Sequence, residues 1–251
     1  MATLLVDIGN TRLRWCSSDG GQCGPAAVRD YTKPEVADQL AGEWRDQPPP
    51  ARVVVSNVAG DALTQAVKRM AQTLWAVDAE FIKAGRSACG VTNGYTHPER
   101  LGPDRWAAMI AAHHLFKGPK CIVDCGTATT MDVLDAGGKH LGGLILPGLT
   151  MMRRALVGGT SGLYVDEAAP SLPKTLLANE TSDAIQGGTL YMLIAALDRI
   201  SEDVASELSG ELWRVITGGD APALLPLLAY SHSHEPDLVL KGLALIAGET
   251  E

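Results

Sequence analysis

CIVDCGTATTMDVLD, residues 121–135, reads as an apolar strand, a Gly turn and a second strand. The chain has used that pattern once before. Residues 3–8 (TLLVDI) form an apolar run ending in an acid and a Gly, and residues 12–16 (RLRWC) alternate as a second strand. Between them Gly9-Asn10-Thr11 is a tight turn. Asp7-Ile8-Gly9-Asn10-Thr11 and Asp124-Cys125-Gly126-Thr127-Ala128 thus share one local logic, and each stands near the start of a half of the chain. A pattern that restarts predicts a duplicated fold. The two halves are expected at 1–117 and 118–251, joined near Lys117-Gly118-Pro119.

Working outward, RVVVSN (52–57) is a β-branched strand, and Leu63, Val67, Met70 and Leu74 give 61–75 helical spacing. A helix is also expected over 34–45, stopped by Pro48-Pro49-Pro50. Gly102-Pro103-Asp104 opens a further helix, since Pro is favoured at the first helical position. In the second half GKHLGGLIL (138–146) reads as a strand ended by Pro147-Gly148. A long amphipathic helix covers 181–200, and WRVIT (213–217) is a strand followed by Gly218-Gly219-Asp220 and a helix. DLVLKG (237–242) reads as a last short strand, with a closing helix from Leu243 to Glu249. The alternation of strands and helices predicts an α/β architecture.

With 251 residues the chain can build two cores of ordinary size. Lys plus Arg number 21 against 29 Asp plus Glu, a formal net charge of −8, which repels polynucleotides. It repels nucleotides too, so any nucleotide site must rely on backbone N–H groups, a few cations and a metal ion. The N-terminus carries no signal-peptide pattern, and no apolar run reaches the ~20 residues that span a bilayer. The five cysteines, an odd count without C-x-x-C, fit reduced cytoplasmic thiols better than a disulfide framework or a zinc site. His232 and His234 have no evident third ligand and read as a solvated loop.

A hairpin tip can bind phosphate. Gly lets the backbone approach closely, successive turn amides make an anion nest, and an acid at the strand end can hold Mg²⁺ directly or through water. Two such tips facing each other across a cleft would grip a triphosphate, with Asp7 to Arg12 on one side and Asp124, Gly126, Thr127 and Thr129 on the other. One Asp-x-Gly alone is an ordinary turn; two in register, followed by Gly218-Gly219, ask for more. No G-x-x-x-x-G-K-[ST] and no G-x-G occurs, so neither a P-loop nor a dinucleotide fingerprint competes.

LLVDIGNTRLRW (4–15), YTHPERLGPDRW (95–106), CIVDCGTATTMDVLD and the Gly-Gly-Leu-Ile-Leu-Pro-Gly run at 142–148 resemble the type III pantothenate kinases, in motif order and over nearly the whole chain. The resemblance implies an α/β fold of two duplicated ribonuclease-H-like (actin-like) lobes with a cleft between them. It implies transfer of the ATP γ-phosphoryl to the primary hydroxyl of pantothenate, the first step of coenzyme A synthesis. By the same resemblance Asp7, Ile8, Gly9, Asn10, Thr11, Arg12, Leu13 and Arg14 hold ATP phosphates and Mg²⁺, with Thr127 also on ATP. Asp124 would be the ligand of a monovalent cation, K⁺ or NH₄⁺. Tyr95, Gly102, Pro103, Asp104, Arg105 and Thr181 would form the pantothenate site, with Asp104 as the base. A homodimer whose substrate site borrows Thr181 from the partner subunit is implied as well.

The residues carry plainer readings beside these. Asp104 suits the positive end of a helix whatever its chemistry; Arg105 could pair with any surface acid; Tyr95 could be an ordinary half-buried Tyr; Thr181 could cap its helix. Two other functions stay open: a kinase of the same fold acting on another small hydroxy acid or sugar, and a nucleotide-binding regulator without turnover.

Overall fold

The computed structural model describes residues 2–31, 36–165 and 177–249, the side chains of 36–39 apart; residues 34 and 35 of the expected first helix lie outside the described residues. The chain divides into two compact units. One comprises Met1–Lys117, Leu134–Gly142 and Asp237–Glu251; the other comprises Gly118–Val133 and Gly143–Pro236.

The first unit opens with β1 (Thr3–Ile8), β2 (Arg12–Asp19), β3 (Gln22–Cys23) and β4 (Ala27–Asp30). Helix α1 (Val36–Arg45), strand β5 (Arg52–Asn57), helix α2 (Asp61–Trp75) and strand β6 (Ala79–Phe81) follow. The strands order as β3-β2-β1-β5-β6, with β4 on β2. β1 pairs antiparallel with β2 through the short turn and parallel with β5, which pairs parallel with β6. The parallel pairs need crossovers, and the helices supply them. A small hairpin of β7 (Ser87–Ala88) and β8 (Val91–Thr92) leads to α3 (Pro103–Leu115).

The second unit contains β9 (Lys120–Cys125), β10 (Ala128–Leu134), β11 (His140–Pro147), α4 (Leu149–Gly159), α5 (Thr181–Glu207), β12 (Trp213–Thr217), α6 (Ala221–Leu224) and β13 (Ser233–His234); residues 134 and 140–142 of these strands count with the first unit. Its sheet orders as β11-β10-β9-β12-β13. Each sheet therefore runs third, second, first, and then two later strands in parallel. The duplication read from two short turns extends to the whole strand order. The stretch around His232, expected as a loop, holds the edge strand β13, because β12 offers its free edge to Ser233 and His234.

Helix α7 (Leu238–Glu249) closes the chain. Here the sequence reading fails: 237–242 is not a strand. Asp237 turns the backbone at φ 58° and its carbonyl accepts the first helical bond, from Lys241 N–H at 3.0 Å. Leu238, Val239 and Leu240 are all buried, and a short, fully buried apolar run has no period that separates helix from strand. α7 packs on α3, itself buried over Arg105–Ala112. At that crossing a Cβ on Gly242 would lie 1.9 Å from the Ala107 carbonyl oxygen, so the two backbones touch.

The first unit's core centres on Trp44, fully buried on α1, with Trp15 edge-on at 6.3 Å and Trp75 stacked at 5.7 Å between ring centroids. All five cysteines are free thiols. Gly42, exposed inside α1, has open space where a Cβ would go, so Gly42→Ala is expected to stabilise the protein by about 0.5–1 kcal/mol. A denaturant midpoint that fails to rise would contradict this.

Candidate active site

The first hairpin tip is closed by a Gly9 N–H bond to the Arg12 carbonyl at 2.9 Å. Asn10 and Thr11 stand exposed at the turn, while Ile8 and Leu13 are fully buried beneath it. A second clasp comes from Tyr31: its N–H donates to the Thr11 carbonyl at 3.1 Å, and its hydroxyl to the Gly9 carbonyl at 2.5 Å. Burial pushes the Tyr31 phenol above its usual value, and the Asp7 charge adds to this. Asp7 is half-buried and aligned with Arg14 on β2 and Ser56 on β5. Ser56 is wholly buried, and its hydroxyl finds no hydrogen-bond partner among the described residues. Arg12 and Arg14 are held from the side, Arg12 by Asp30 at 2.8 Å and Arg14 by Asp237 at 2.9 Å.

The start of α3 builds a second cluster in the same unit. Gly102 caps the helix without a side-chain bond, Pro103 begins it, and Asp104 lies in the first turn, half-buried. The Asp104 carboxylate accepts from the Arg105 N–H at 2.8 Å, and a Cβ on Gly102 would lie 2.5 Å from its Oδ1. Arg105 is no surface residue. It is 7% exposed, donates to the Tyr95 hydroxyl at 2.8 Å and holds its guanidinium carbon 5.6 Å from the Tyr95 ring centroid. The Tyr95 ring also stacks on His140 at 5.7 Å and 17°. Its backbone N–H donates to Asn93, whose amide in turn reaches the carbonyls of Gly85 and Pro98. A groove of about 580 Å³, lined by Asn57, Thr64, Lys68, Phe81, Leu101 and Pro103 among others, runs beside this cluster.

The second unit repeats the tip with one residue fewer in its turn: Gly126 N–H donates to the Ala128 carbonyl at 3.1 Å. Two glycines press on it. Gly148 donates to the Thr127 carbonyl at 3.1 Å, and a Cβ there would lie 2.3 Å from the Gly126 oxygen. Gly218, at φ 95°, would put a Cβ 2.4 Å from the Cys125 oxygen, and the Asp220 N–H donates to that oxygen at 3.0 Å. Asp124 is half-buried and aligned with the buried Thr217, the counterpart of Asp7 beside Ser56. Thr129 is 1% exposed with no partner for its hydroxyl among the described residues. Burial, with the Asp124 and Asp220 charges, raises the Cys125 thiol and keeps it protonated. Arg153 on α4 is half-buried and donates to Thr189 at 3.3 Å; burial disfavours its charge, which Asp220 supports. Thr181 is the first residue of α5 and exposed; the capping position is Glu180.

Among the described residues no three His, Cys, Asp or Glu side chains gather as a metal cage. Mg²⁺ is ordinarily held by one or two carboxylates together with substrate phosphates and water. Asp7, half-buried beside a Gly tip, is an oxygen donor of the kind that such an ion takes. His232 is satisfied locally, its Nδ1 2.8 Å from the Tyr230 carbonyl, and burial lowers its proton affinity.

Sequence reasoning did not single out Tyr31, Asn93 or His140, and it gave Gly148 the end of a strand and a place in the 142–148 run that carries the resemblance. Gly148 alone carried a signal, in its Pro-Gly pair. Tyr31 and His140 act through contacts with residues distant in sequence, and Asn93 through residues two to eight positions away whose side-chain bonds no local pattern marks.

A family model for type III pantothenate kinase matches residues 3–203. The chain is 45% identical over 252 residues to a type III pantothenate kinase of Nitrosococcus oceani, covering 98% of this chain and 94% of that one. It is 38% identical over 255 residues to a type III pantothenate kinase of Verminephrobacter eiseniae, covering 98% and 97%. Among solved structures, a glucokinase from an Antarctic psychrotroph matches with a TM-score of 0.51 at 15% identity, covering 98% of this chain and 99% of that one. That likeness carries the fold alone, an α/β architecture of two ribonuclease-H-like lobes.

Proposed function

The chain belongs to the type III pantothenate kinase family, and from that premise we propose that it phosphorylates the primary hydroxyl of pantothenate to 4'-phosphopantothenate with ATP, opening coenzyme A biosynthesis. The observation that carries the reading, beyond family membership, is the cluster at the head of α3, where Asp104, Arg105 and Tyr95 converge behind Gly102.

In this reading Asp104 accepts a hydrogen bond from the pantothenate hydroxyl and aims its oxygen at the γ-phosphorus. A carboxylate of pKa ~3.9 is a weak base for an alcohol. Phosphoryl transfer has a loose transition state, so the proton leaves late and positioning outweighs basicity. Arg105, held by Tyr95, offers a bidentate fork to the pantothenate carboxylate. The Tyr95 ring packs on the geminal dimethyl group. Gly102 and Pro103 let the substrate approach the helix head, whose dipole favours the negative charge of Asp104.

The tip from Asp7 to Arg14 takes the ATP phosphates, through the turn amides of Gly9, Asn10 and Thr11. Ile8 and Leu13 hold the tip from below, and Arg12 and Arg14 add positive charge. Thr127 contacts ATP at the other tip. Asp7 would hold the Mg²⁺ that accompanies ATP, which neutralises phosphate charge, and Asp124 would hold a monovalent cation, K⁺ or NH₄⁺. The protein would work in the cytoplasm; none of the described helices is long and apolar enough to cross a membrane. A homodimer, with Thr181 lent to the partner's substrate site, is supported by apolar side chains left exposed on β11, α4 and α5: Leu144, Ile145, Met151, Leu156, Tyr191 and Met192. The acidic balance of the chain speaks against a nucleic-acid partner.

The test is ADP release with ATP, Mg²⁺ and K⁺, with and without pantothenate, then with Na⁺ in place of K⁺. Pantothenate-dependent ADP that falls sharply in Na⁺ is expected. A panel of sugars and small hydroxy acids in the same assay separates a kinase with another acceptor; no turnover with any acceptor would leave a nucleotide-binding regulator.

Gly102 gives a sharper check. A methyl group there collides with the end of the Asp104 side chain, which can rotate away. Gly102→Ala should therefore fold normally, with ~0.5 kcal/mol lost at the cap. Its kcat should fall about 100-fold, the scale of a 1 Å misplacement of a reacting group. A kcat within twofold of the parent would show that the carboxylate position does not matter.

A further inference from the structure

We infer that His140 is a positioning residue for the substrate site: it fixes the Tyr95 ring and, through it, the Arg105 guanidinium, so that it sets pantothenate affinity without touching pantothenate. The inference rests on the functional reading above for the identity of the ligand, and on geometry for the rest.

His140 is the first residue of β11 and is 1% exposed. Its ring lies nearly parallel to Tyr95, 17° apart with centroids at 5.7 Å. The backbone makes that meeting possible. A Cβ on Gly94 would lie 2.1 Å from the His140 carbonyl oxygen, so only glycine lets the 93–95 loop settle on the head of β11. Just before it, Thr92 bridges in parallel to Lys139, and its N–H donates to the Gly138 carbonyl at 3.0 Å. Asn93 ties the other side of the loop to Gly85 and Pro98. The loop is thus docked along residues 138–140, and the Tyr95 ring is set by what stands at 140.

Tyr95 is in turn a hydrogen-bond and ring partner of Arg105, its hydroxyl 2.8 Å from Nη1. A guanidinium that must meet a carboxylate in a bidentate fork loses affinity when its plane rotates. A half-buried aromatic ring without its stacking neighbour gains freedom to turn, and supporting residues of this kind govern how well the groups they hold are placed. The chain of action runs from His140 to Tyr95 to Arg105. It leaves Asp104, the chemistry and the phosphate tips outside, so the effect should fall on one substrate alone.

The experiment compares His140→Ala with His140→Phe in the full-length protein, measuring kcat and both KM values. His140→Ala is expected to raise the KM for pantothenate about tenfold, with kcat and the KM for ATP within twofold of the parent. His140→Phe, which keeps a flat ring, should bring the pantothenate KM back to within threefold. An unchanged pantothenate KM in His140→Ala overturns the inference, as does a parallel loss in kcat and both KM values, the mark of general damage. Protein labelled with 3-fluorotyrosine supplies a reading that needs no substrate. The Tyr95 fluorine resonance, assigned with Tyr95→Phe, should shift in His140→Ala and return toward its place in His140→Phe. An unmoved resonance overturns the positioning role by itself. If the parent protein does not turn over pantothenate at all, the functional reading falls, while the fluorine signal still decides whether His140 sets the ring.

Discussion

In Asp104→Asn, pantothenate-dependent ADP release is expected to fall by roughly 10²- to 10⁴-fold while ATP still binds, the range for losing a positioned acid–base group. The substitution is nearly isosteric, and the amide oxygen can still accept from the Arg105 N–H as the carboxylate does at 2.8 Å. What it loses is the charge that suits the α3 N-terminus, about 0.3–1 kcal/mol, too little to unfold a domain. The size of the loss separates two roles. If Asp104 mainly orients the hydroxyl, the Asn oxygen keeps part of that work and the loss lies near the lower end. If it also receives the proton, the amide cannot, and the loss lies near the upper end. Single-turnover kinetics with ATP titration would measure both quantities. Near-normal turnover in a protein that binds ATP would take the catalytic role away from Asp104.

The second large effect concerns the fold. Replacing a helical Gly by Ala ordinarily stabilises by up to about 1 kcal/mol. Gly242→Ala should do the reverse, lowering stability by about 3 kcal/mol or more, because the added methyl would sit 1.9 Å from the Ala107 carbonyl oxygen and 2.9 Å from its Cα. Those are backbone atoms of α3, which cannot turn aside as a side chain can. The two helices must separate, and α3 carries Asp104 and Arg105 at its head. For a chain of this length such a loss lowers the midpoint of thermal unfolding by roughly 6–12 °C. Turnover should fall with it. Gly42→Ala is the control, being helical with open space around it. A Gly242→Ala protein as stable as the parent would mean that α3 and α7 do not cross in backbone contact.

The candidate site was legible where chemistry is local. Asp7 and Asp124 announce themselves because an acid, a Gly and a hydroxyl residue stand together between two strand patterns. Gly102-Pro103-Asp104 announces a helix head for the same kind of reason. His140 and Tyr31 could not be found this way. Nothing near His140 in sequence marks it; its partner Tyr95 lies forty-five residues earlier and reaches it only because Gly94 permits close approach. Tyr31 reads as one more aromatic residue until the fold brings its hydroxyl to the Gly9 carbonyl.

By itself the sequence determined the two tips, the strand–turn–strand units around them and the duplication they imply, since strand period, turn chemistry and glycine freedom act over a few residues. Only the tertiary structure decided what Leu238–Gly242 would be. An apolar run buried on every side is helix or strand according to its neighbours, and α3 offers a helix-shaped surface with room for Gly242 and no more. The same holds for Arg105, whose burial against Tyr95 arises from contacts between segments that the local pattern does not encode.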